Sequence, residues 1–247
     1  MSFYQAMQLG AINLKPLIKN TEDKKLKQKY ITALVLKNIL CLLFCIFVVT
    51  SFSTIFGNEN SVAGVVTILA LLTFRFSNLD FDVKQSAFTL FGIFCILMVG
   101  PYLASISTPM VKFIINFISI MAIVILSCHN VVLSNQSILV LSYLLLYGYQ
   151  INDINVYINR VCALALGGII VAGIFYIKQR KVKFENKFSD IIKDVNFNND
   201  RTKWQLKFTL AVCSGLLIGD LLNLPRTMWI GFACMSIVQP HKVKMDI

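Results

Sequence analysis

Long apolar runs separated by short polar joints make up most of the chain. In chain order the runs cover residues 31–56, 61–74, 86–106, 110–128, 131–149, 156–177, 204–222 and 227–239. A helix of about 20 residues crosses the roughly 30 Å hydrocarbon core of a bilayer, and six of the runs have 19 residues or more. The pattern therefore predicts an all-α, polytopic membrane protein with about eight transmembrane helices.

Two of the runs are too short to cross a bilayer as straight helices. Residues 61–74 and 227–239 would rise only about 20 Å each, and each run contains one internal glycine, Gly64 or Gly231. Paired short segments at corresponding positions point to a site near the membrane midplane in transporters. We expect both short helices to pack inside the bundle, shielded from lipid by longer spans. The alternative is that they are ordinary spans whose flanking Arg and Lys reach the interface.

The distribution of charge predicts the orientation. Of the 23 Lys and Arg residues, six precede the first span and nine lie between residues 178 and 207, whereas the joint at 57–60 holds only Glu59. Because Lys and Arg gather on the cytoplasmic side, both termini and the segment 178–203 are predicted to be cytoplasmic. The net charge of +11 then reflects topology and contact with anionic lipid headgroups. It does not indicate binding of nucleic acid, which needs a basic, folded, soluble surface.

The same pattern divides the chain into four segments. They are a basic N-terminal segment (1–30) without a signal-peptide cleavage site, a six-helix membrane unit (31–177), a connector (178–203) and the start of a second membrane unit (204–247). Apolar residues recur in the connector at helical spacing: Phe184, Phe188, Ile191, Ile192 and Val195. This spacing predicts an amphipathic helix of about four turns. We interpret it as a cytoplasmic connector, and a regulatory role is the alternative.

The second membrane unit begins like the first. "LVLKNILCLLFCIFVV" around Lys37 and "WQLKFTLAVCSGLLIG" around Lys207 align at an offset of 170 residues. In each copy a long span is followed by a turn and then by a short apolar run. The repeat indicates a six-helix unit followed by the first two helices of a second unit.

Two stretches resemble the fusaric acid resistance, or aromatic acid exporter, family. "PRTMWIGFACMSIVQPHKVK" is similar to its signature, a membrane helix in which a Trp precedes a Pro by about ten residues, here Trp229 and Pro240. "INRVCALALGGIIVAGI" is similar to its sixth helix, where Arg160 precedes the pair Gly167 and Gly168. The resemblance implies an inner-membrane protein that exports aromatic carboxylic acids and similar small anions. The chain departs from the family in its short connector and in a second unit that stops after two helices.

Charged residues in or beside the spans are candidates for a substrate path. A charge at the centre of a membrane helix costs roughly 2.5–3.5 kcal/mol and normally faces a cavity or a partner, whereas one near a helix end can reach the interface. We expect Lys37, Lys207 and Arg160 to face a common interior cavity, because a carboxylate needs a cation in a medium of low dielectric. An aromatic wall would complete the site. The full set of candidates is Lys37, Arg160, Lys207, Asp220, Arg226 and Trp229.

Nothing in the sequence indicates catalysis. There are two histidines and seven cysteines; the cysteines lie in or at the ends of apolar runs, where small apolar packing is their usual role. No Gly-rich phosphate loop is present. We therefore predict no enzyme activity, no cofactor and no metal site. Two functions stay open: a secondary exporter of small organic anions, and a non-transporting membrane protein such as a structural or assembly subunit. Either could form a homo-oligomer in the bilayer.

Overall fold

The computed structural model describes residues 3–9, 11–21, 23–129, 134–151, 153–184 and 186–239. All regular secondary structure in these ranges is helical, which confirms the all-α class. The helices are α1 (Phe3–Gln8), α2 (Ala11–Asn20), α3 (Lys24–Phe56), α4 (Ser61–Phe74), α5 (Val83–Ser105), α6 (Pro109–Ser127), α7 (Asn135–Gly148), α8 (Ile154–Gln179), α9 (Phe188–Lys193), α10 (Asp200–Leu221) and α11 (Met228–Ile237). A 3-10 turn, Asn58–Asn60, precedes α4. Among the described helices, α3, α5, α6 and α8 are long and apolar enough to span a membrane.

The chain forms two compact units, Met1–Thr50 and Ser51–Ile247. In the first unit, a small core is built from Ala6, Leu14, Tyr30 and Ala33. Lys37 also belongs to this unit, where its Nζ donates a hydrogen bond to the backbone oxygen of Leu9 over 2.7 Å.

In the second unit α8 packs against α4 and α5. Its two adjacent glycines make this packing close. A β-carbon at Gly167 would collide with the Thr67 hydroxyl of α4, and one at Gly168 would lie 3.0 Å from Cβ of Phe94 in α5. Small residues let membrane helices approach each other in this way.

The two short helices differ in position. In α4, nine of the 14 residues are buried, Gly64 among them, and the helix packs against α7 and α8, so its predicted interior position is confirmed. In α11 only three of ten residues are buried. One of these is Gly231, where a β-carbon would lie 2.9 Å from Cδ2 of Leu144. The interior position predicted for α11 is wrong, because α7 and α10 cover only one of its faces and Trp229 on the other face is 57% exposed.

The predicted amphipathic helix of the connector is also wrong in length. Among the described residues between α8 and α10, only Phe188–Lys193 is helical, a span of six residues. Before it, the backbone oxygen of Asn186 accepts a hydrogen bond from the amide of Asp82, and Nδ2 of Asn186 donates to the backbone oxygen of Asp80. After it, Asn196 Oδ1 accepts from the amide of Asn198. Such local and tertiary bonds compete with a helix for the same backbone groups.

Hydrogen bonds define the two ends of the second unit. At the "basic end", the connector contacts the start of α5 through Phe188 N and Gln85 Oε1, and the start of α10 contacts the end of α6 through Gln205 and Cys128. The described basic residues of this end are Arg75, Lys84, Lys178, Arg180, Lys181, Lys183, Lys187, Lys193, Arg201 and Lys203. The opposite end, called the "cavity end" below, contains the 3-10 turn, the starts of α6, α8 and α11, and the ends of α7 and α10. Its described basic residues are Lys112, Arg160 and Arg226.

Candidate functional site

A polar cavity of about 360 Å3 opens at the cavity end of the second unit. It lies between α6, α7, α10 and α11, and its charged lining residues are Lys112, Asp220 and Arg226. Tyr147 and Gln150 are among its other lining residues. The volume falls within the range that is usual for small-molecule sites.

The turn between α10 and α11 brings two of the charges to the cavity. Asn223 and Arg226 both have left-handed backbone conformations, with φ of 50° and 60°. The chain reverses here, and the amide of Leu224 donates to the backbone oxygen of Gly219 over 2.9 Å. Left-handed conformations cost non-glycine residues on the order of 1 kcal/mol and cluster at functional sites. The result is that Asp220 and Arg226 line the same cavity.

Asp220 is paired with a lysine from a different helix. Nζ of Lys112 lies 3.3 Å from Oδ2 of Asp220, and both side chains are mostly buried. The hydroxyl of Tyr147 donates to the same carboxylate oxygen, and the Lys112 ammonium lies 5.9 Å from the centroid of the Tyr147 ring. The Asp220 charge is therefore offset by Lys112, and the Arg226 cation leaves the cavity with one excess positive charge.

Polar groups continue from the cavity into the bundle. Lys112, Asn116 and Ser119 follow one another at helical spacing on α6, and the Tyr143 hydroxyl of α7 donates to Oδ1 of Asn116 over 2.8 Å. Gly100 lets α5 approach these polar groups closely, since a β-carbon at this position would lie 2.8 Å from the Ser119 oxygen. Buried polar groups are tolerated when they are bonded to one another, and here the bond between Tyr143 and Asn116 joins α7 to α6.

Arg160 lies at the same end but does not line the cavity. Its side chain is buried, and Nε donates to Oδ1 of Asn60 over 3.1 Å. Nη2 donates to the backbone oxygen of Glu59 over 2.8 Å, and Nη1 donates to that of Tyr149. Asn60 Nδ2 donates in return to the backbone oxygen of Val156 over 3.1 Å. Arg160 thus joins the 3-10 turn, the end of α7 and the start of α8.

Of the candidates from the sequence, the structure brings Asp220 and Arg226 together and not Lys207 or Trp229. Lys207 is exposed on α10, 13 residues and therefore about 20 Å of helix away from Asp220. Trp229 packs edge-to-face on Phe232, with ring centroids 5.4 Å apart, and is not among the residues lining the cavity.

Lys37, a further candidate, belongs to the first unit, where it bonds Leu9. The part of any of the six candidates in a substrate path stays a prediction. Pro240, a residue of the family motif, lies outside the described residues.

The sequence analysis missed Lys112, Asn116 and Tyr147. The signal was present, because Lys112 is the one lysine inside the run 110–128 and Asn116 and Ser119 follow it at intervals of four and three residues. This spacing places three polar side chains on one face of an apolar helix. The partner Asp220 could not be found from this local pattern.

Among the described residues there is no group of three or more His, Cys, Asp or Glu side chains that could hold a metal ion. Comparison of the chain with protein-family models, with curated proteins and with solved structures found no match. The resemblance to the exporter family therefore rests on the two quoted stretches alone.

Proposed function

We propose that this protein is an inner-membrane secondary transporter that exports aromatic carboxylic acids or similar small organic anions. The observation that carries the proposal is the cavity with Lys112, Arg226 and Asp220, between helices of an apolar bundle. Asp220 offsets one of the two cations, and the remaining positive charge favours a monovalent anion.

The proposed arrangement in the membrane has eight spans. The eight spans are the four long apolar helices together with α4, α7, α10 and α11. The first six in chain order form one unit, and α10 and α11 begin a second unit. The basic end faces the cytoplasm, because Lys and Arg gather on that side. Both termini and residues 178–203 are then cytoplasmic, and the cavity opens toward the outer face. The resemblance of the segments around Arg160 and Trp229 to the fusaric acid resistance family supports the substrate class.

Efflux of a labelled aromatic acid tests the proposal. Cells that contain the protein should lose preloaded labelled benzoate faster than cells without it. Lys112→Gln and Arg226→Gln should reduce this difference at least severalfold at equal abundance in the membrane. Lys203→Gln is the matched control, because Lys203 lies at the basic end and pairs with the exposed Asp200. Equal efflux from cells with and without the wild-type protein would contradict the proposal.

The alternative is a non-transporting membrane protein, such as a structural or assembly subunit. The observation that favours it is Arg160, a deeply buried cation of the second unit whose three hydrogen bonds all go to protein oxygens. The exposed face of α11 around Trp229 would then contact a partner protein. This alternative would be supported if deletion of the gene left efflux unchanged but caused the loss of a membrane complex.

A further inference from the structure

We propose that the basic end of the second unit binds one anionic phospholipid: its two acyl chains lie in grooves on either side of Phe88, and its phosphate pairs with Lys84 and Lys187. This site is separate from the polar cavity, which opens at the opposite end of the unit. The inference goes beyond the proposed export function and does not depend on it.

Two apolar grooves begin at the basic end and follow α5 into the bundle. The first, called the "α8 groove", lies between α5 and α8, has a volume of about 470 Å3 and includes Phe91 and Ile169 in its lining. The second, called the "α6 groove", has a volume of about 570 Å3 and lies between α5, the connector and the end of α6, where Leu126 lines it. Both volumes fall within the range that is usual for small-molecule sites.

Phe88 separates the two grooves and lines both of them. On α5 the α8 groove is lined at positions 84, 87, 88 and 91, and the α6 groove at positions 85, 88, 89 and 92. Intervals of three and four place each set in one stripe along the helix, and the two stripes share Phe88, which is 79% exposed. Two parallel apolar grooves with a ring between them fit the two chains of one diacyl lipid.

Each groove contains a glycine that no packing contact of the described residues explains. A β-carbon at Gly173 in the α8 groove, or at Gly92 in the α6 groove, would meet no described atom within 4 Å. At Gly167 and Gly168, by contrast, neighbouring helices occupy that space. Because glycine is less favourable than alanine inside a helix, the open space at both positions is consistent with a ligand that lies against the backbone there.

A lysine stands at the basic-end mouth of each groove, Lys84 in the α8 groove and Lys187 in the α6 groove. The amide of Phe188 donates to Oε1 of Gln85 over 2.7 Å, which holds the chain around Lys187 against the start of α5, where Lys84 lies. Neither lysine forms an ion pair with another described residue. Both ammonium groups are therefore open to a phosphate between them.

The surrounding charge also favours an anion. The ten described Lys and Arg residues of the basic end stand against five described carboxylates. Of these carboxylates, Asp82 and Asp190 lie closest in the chain to the two lysines, and they accept hydrogen bonds from the backbone amides of Gln85 and Lys187. Basic pockets between membrane helices bind anionic lipid head groups, and lysine stems can lie along apolar surface while the ammonium stays at the interface. An apolar groove with a cation at its mouth therefore matches a phospholipid in both of its parts.

Lipid binding to the purified protein tests the inference. The full-length protein in detergent is titrated with phosphatidylglycerol, with phosphatidylcholine of the same acyl chains and with single-chain lysophosphatidylglycerol, and native mass spectrometry counts the lipids retained. We expect one phosphatidylglycerol to bind at least severalfold more tightly than either of the other two lipids. Glycerol phosphate, which carries the anionic group without chains, should not compete with it, because the grooves hold the chains.

Variants assign the binding to this site. Lys84→Gln and Lys187→Gln should each lower the affinity for phosphatidylglycerol roughly fivefold, the effect of one basic residue beside an anionic lipid surface, and leave that for phosphatidylcholine unchanged. Lys203→Gln is the matched control, since it removes the same charge from the basic end but Lys203 lines neither groove. Gly173→Leu keeps both lysines and fills the α8 groove, so phosphatidylglycerol should bind this variant no better than its single-chain form does. The unfolding temperature of each variant shows whether it is folded.

Three results would overturn the inference. The first is equal affinity of the wild type for phosphatidylglycerol and phosphatidylcholine. The second is a preference for phosphatidylglycerol that persists when Lys84 and Lys187 are both replaced by Gln, which would assign it to the basic end in general. The third is a dimer that forms without lipid and is lost in Gly173→Leu, which would assign the grooves to a second copy of the chain. Each of these results would leave the proposed export function standing.

Discussion

Arg160 donates a hydrogen bond from Nε to Oδ1 of Asn60, over 3.1 Å, although the two residues are 100 positions apart. Nδ2 of Asn60 donates a hydrogen bond to the backbone oxygen of Val156, which lies one turn before Arg160 on α8. The pair therefore fixes the entry of α4 against the start of α8. The Arg160 guanidinium therefore stabilises the packing of the helices, and its removal should affect the stability of the protein.

Arg160→Gln should lower the abundance and the unfolding temperature of the protein. The substitution leaves the backbone oxygens of Glu59 and Tyr149 without their donor, and a buried polar group without a partner costs about 1–3 kcal/mol. Thermal unfolding in detergent and immunodetection in membranes measure the effect. Lys207→Gln is the control, because Lys207 is exposed. If Arg160→Gln were as abundant and stable as wild type but lost efflux, Arg160 would belong to the substrate path instead.

Two glycines of α8 should respond oppositely to the same substitution. Gly167→Ala places a methyl group against the Thr67 hydroxyl, and overpacking of this kind costs about 1–3 kcal/mol. Gly173→Ala meets no atom within 4 Å and should be neutral or stabilising by up to about 1 kcal/mol, because alanine favours a helix over glycine. Unfolding temperatures of the two purified variants give the comparison. Equal effects would show that α4 and α8 do not pack as closely as described.

Arg226 should show a conflict between stability and function. Its backbone is left-handed, with φ of 60°, so Arg226→Gly should be more stable than Arg226→Gln by about 1 kcal/mol. Both variants remove the cation from the cavity and should weaken anion binding equally. Thermal unfolding and benzenesulfonate titration separate the two effects. A variant pair of equal stability would argue against the left-handed conformation.

The protein should lose stability in acid through His129 at the basic end. Burial, and then the neighbouring Arg201, lower the pKa of His129 below its usual value of 6.5; Nη1 of Arg201 lies 2.9 Å from Nδ1 of the ring. Below about pH 6.5 the His129 side chain binds a proton more readily in the unfolded chain than in the folded one. The free energy of unfolding therefore decreases as the pH falls. His129→Gln cannot titrate and should show a smaller fall in unfolding temperature between about pH 8 and pH 5.5. An identical fall in both proteins would assign the acid sensitivity to other groups.

Cysteine labelling should report the orientation. In a variant whose native cysteines are replaced, Asn58→Cys at the cavity end should react with a membrane-impermeant maleimide added to intact cells, and Asn198→Cys at the basic end should not. Both positions are exposed, so access is decided by the membrane. The expected difference follows from the concentration of Lys and Arg at the basic end. Labelling of position 198 in intact cells would reverse the topology.

The sequence by itself determined the helical class and most of the helix bounds. The helix α4 begins and ends at the predicted residues, Ser61 and Phe74, because polar joints bound an apolar run on both sides. Inside a bilayer the backbone has no water to bond, so such a run satisfies its amides and carbonyls as a helix. Helix formation is a local property of the apolar run, so the sequence of the run is enough to predict it.

Only the tertiary structure decided which polar residues meet. Asp220 pairs with Lys112, 108 positions earlier, and the candidates Lys207 and Trp229 lie away from that cavity. The connector pattern predicted four turns of helix, yet the described residues form only six residues of helix, and Asn186 exchanges hydrogen bonds with Asp80 and Asp82 instead. Helical spacing specifies which side chains share a face, but the partner of that face depends on how the helices pack. The charge pairs follow from that packing, because a buried charge is stable only beside the partner that another helix supplies.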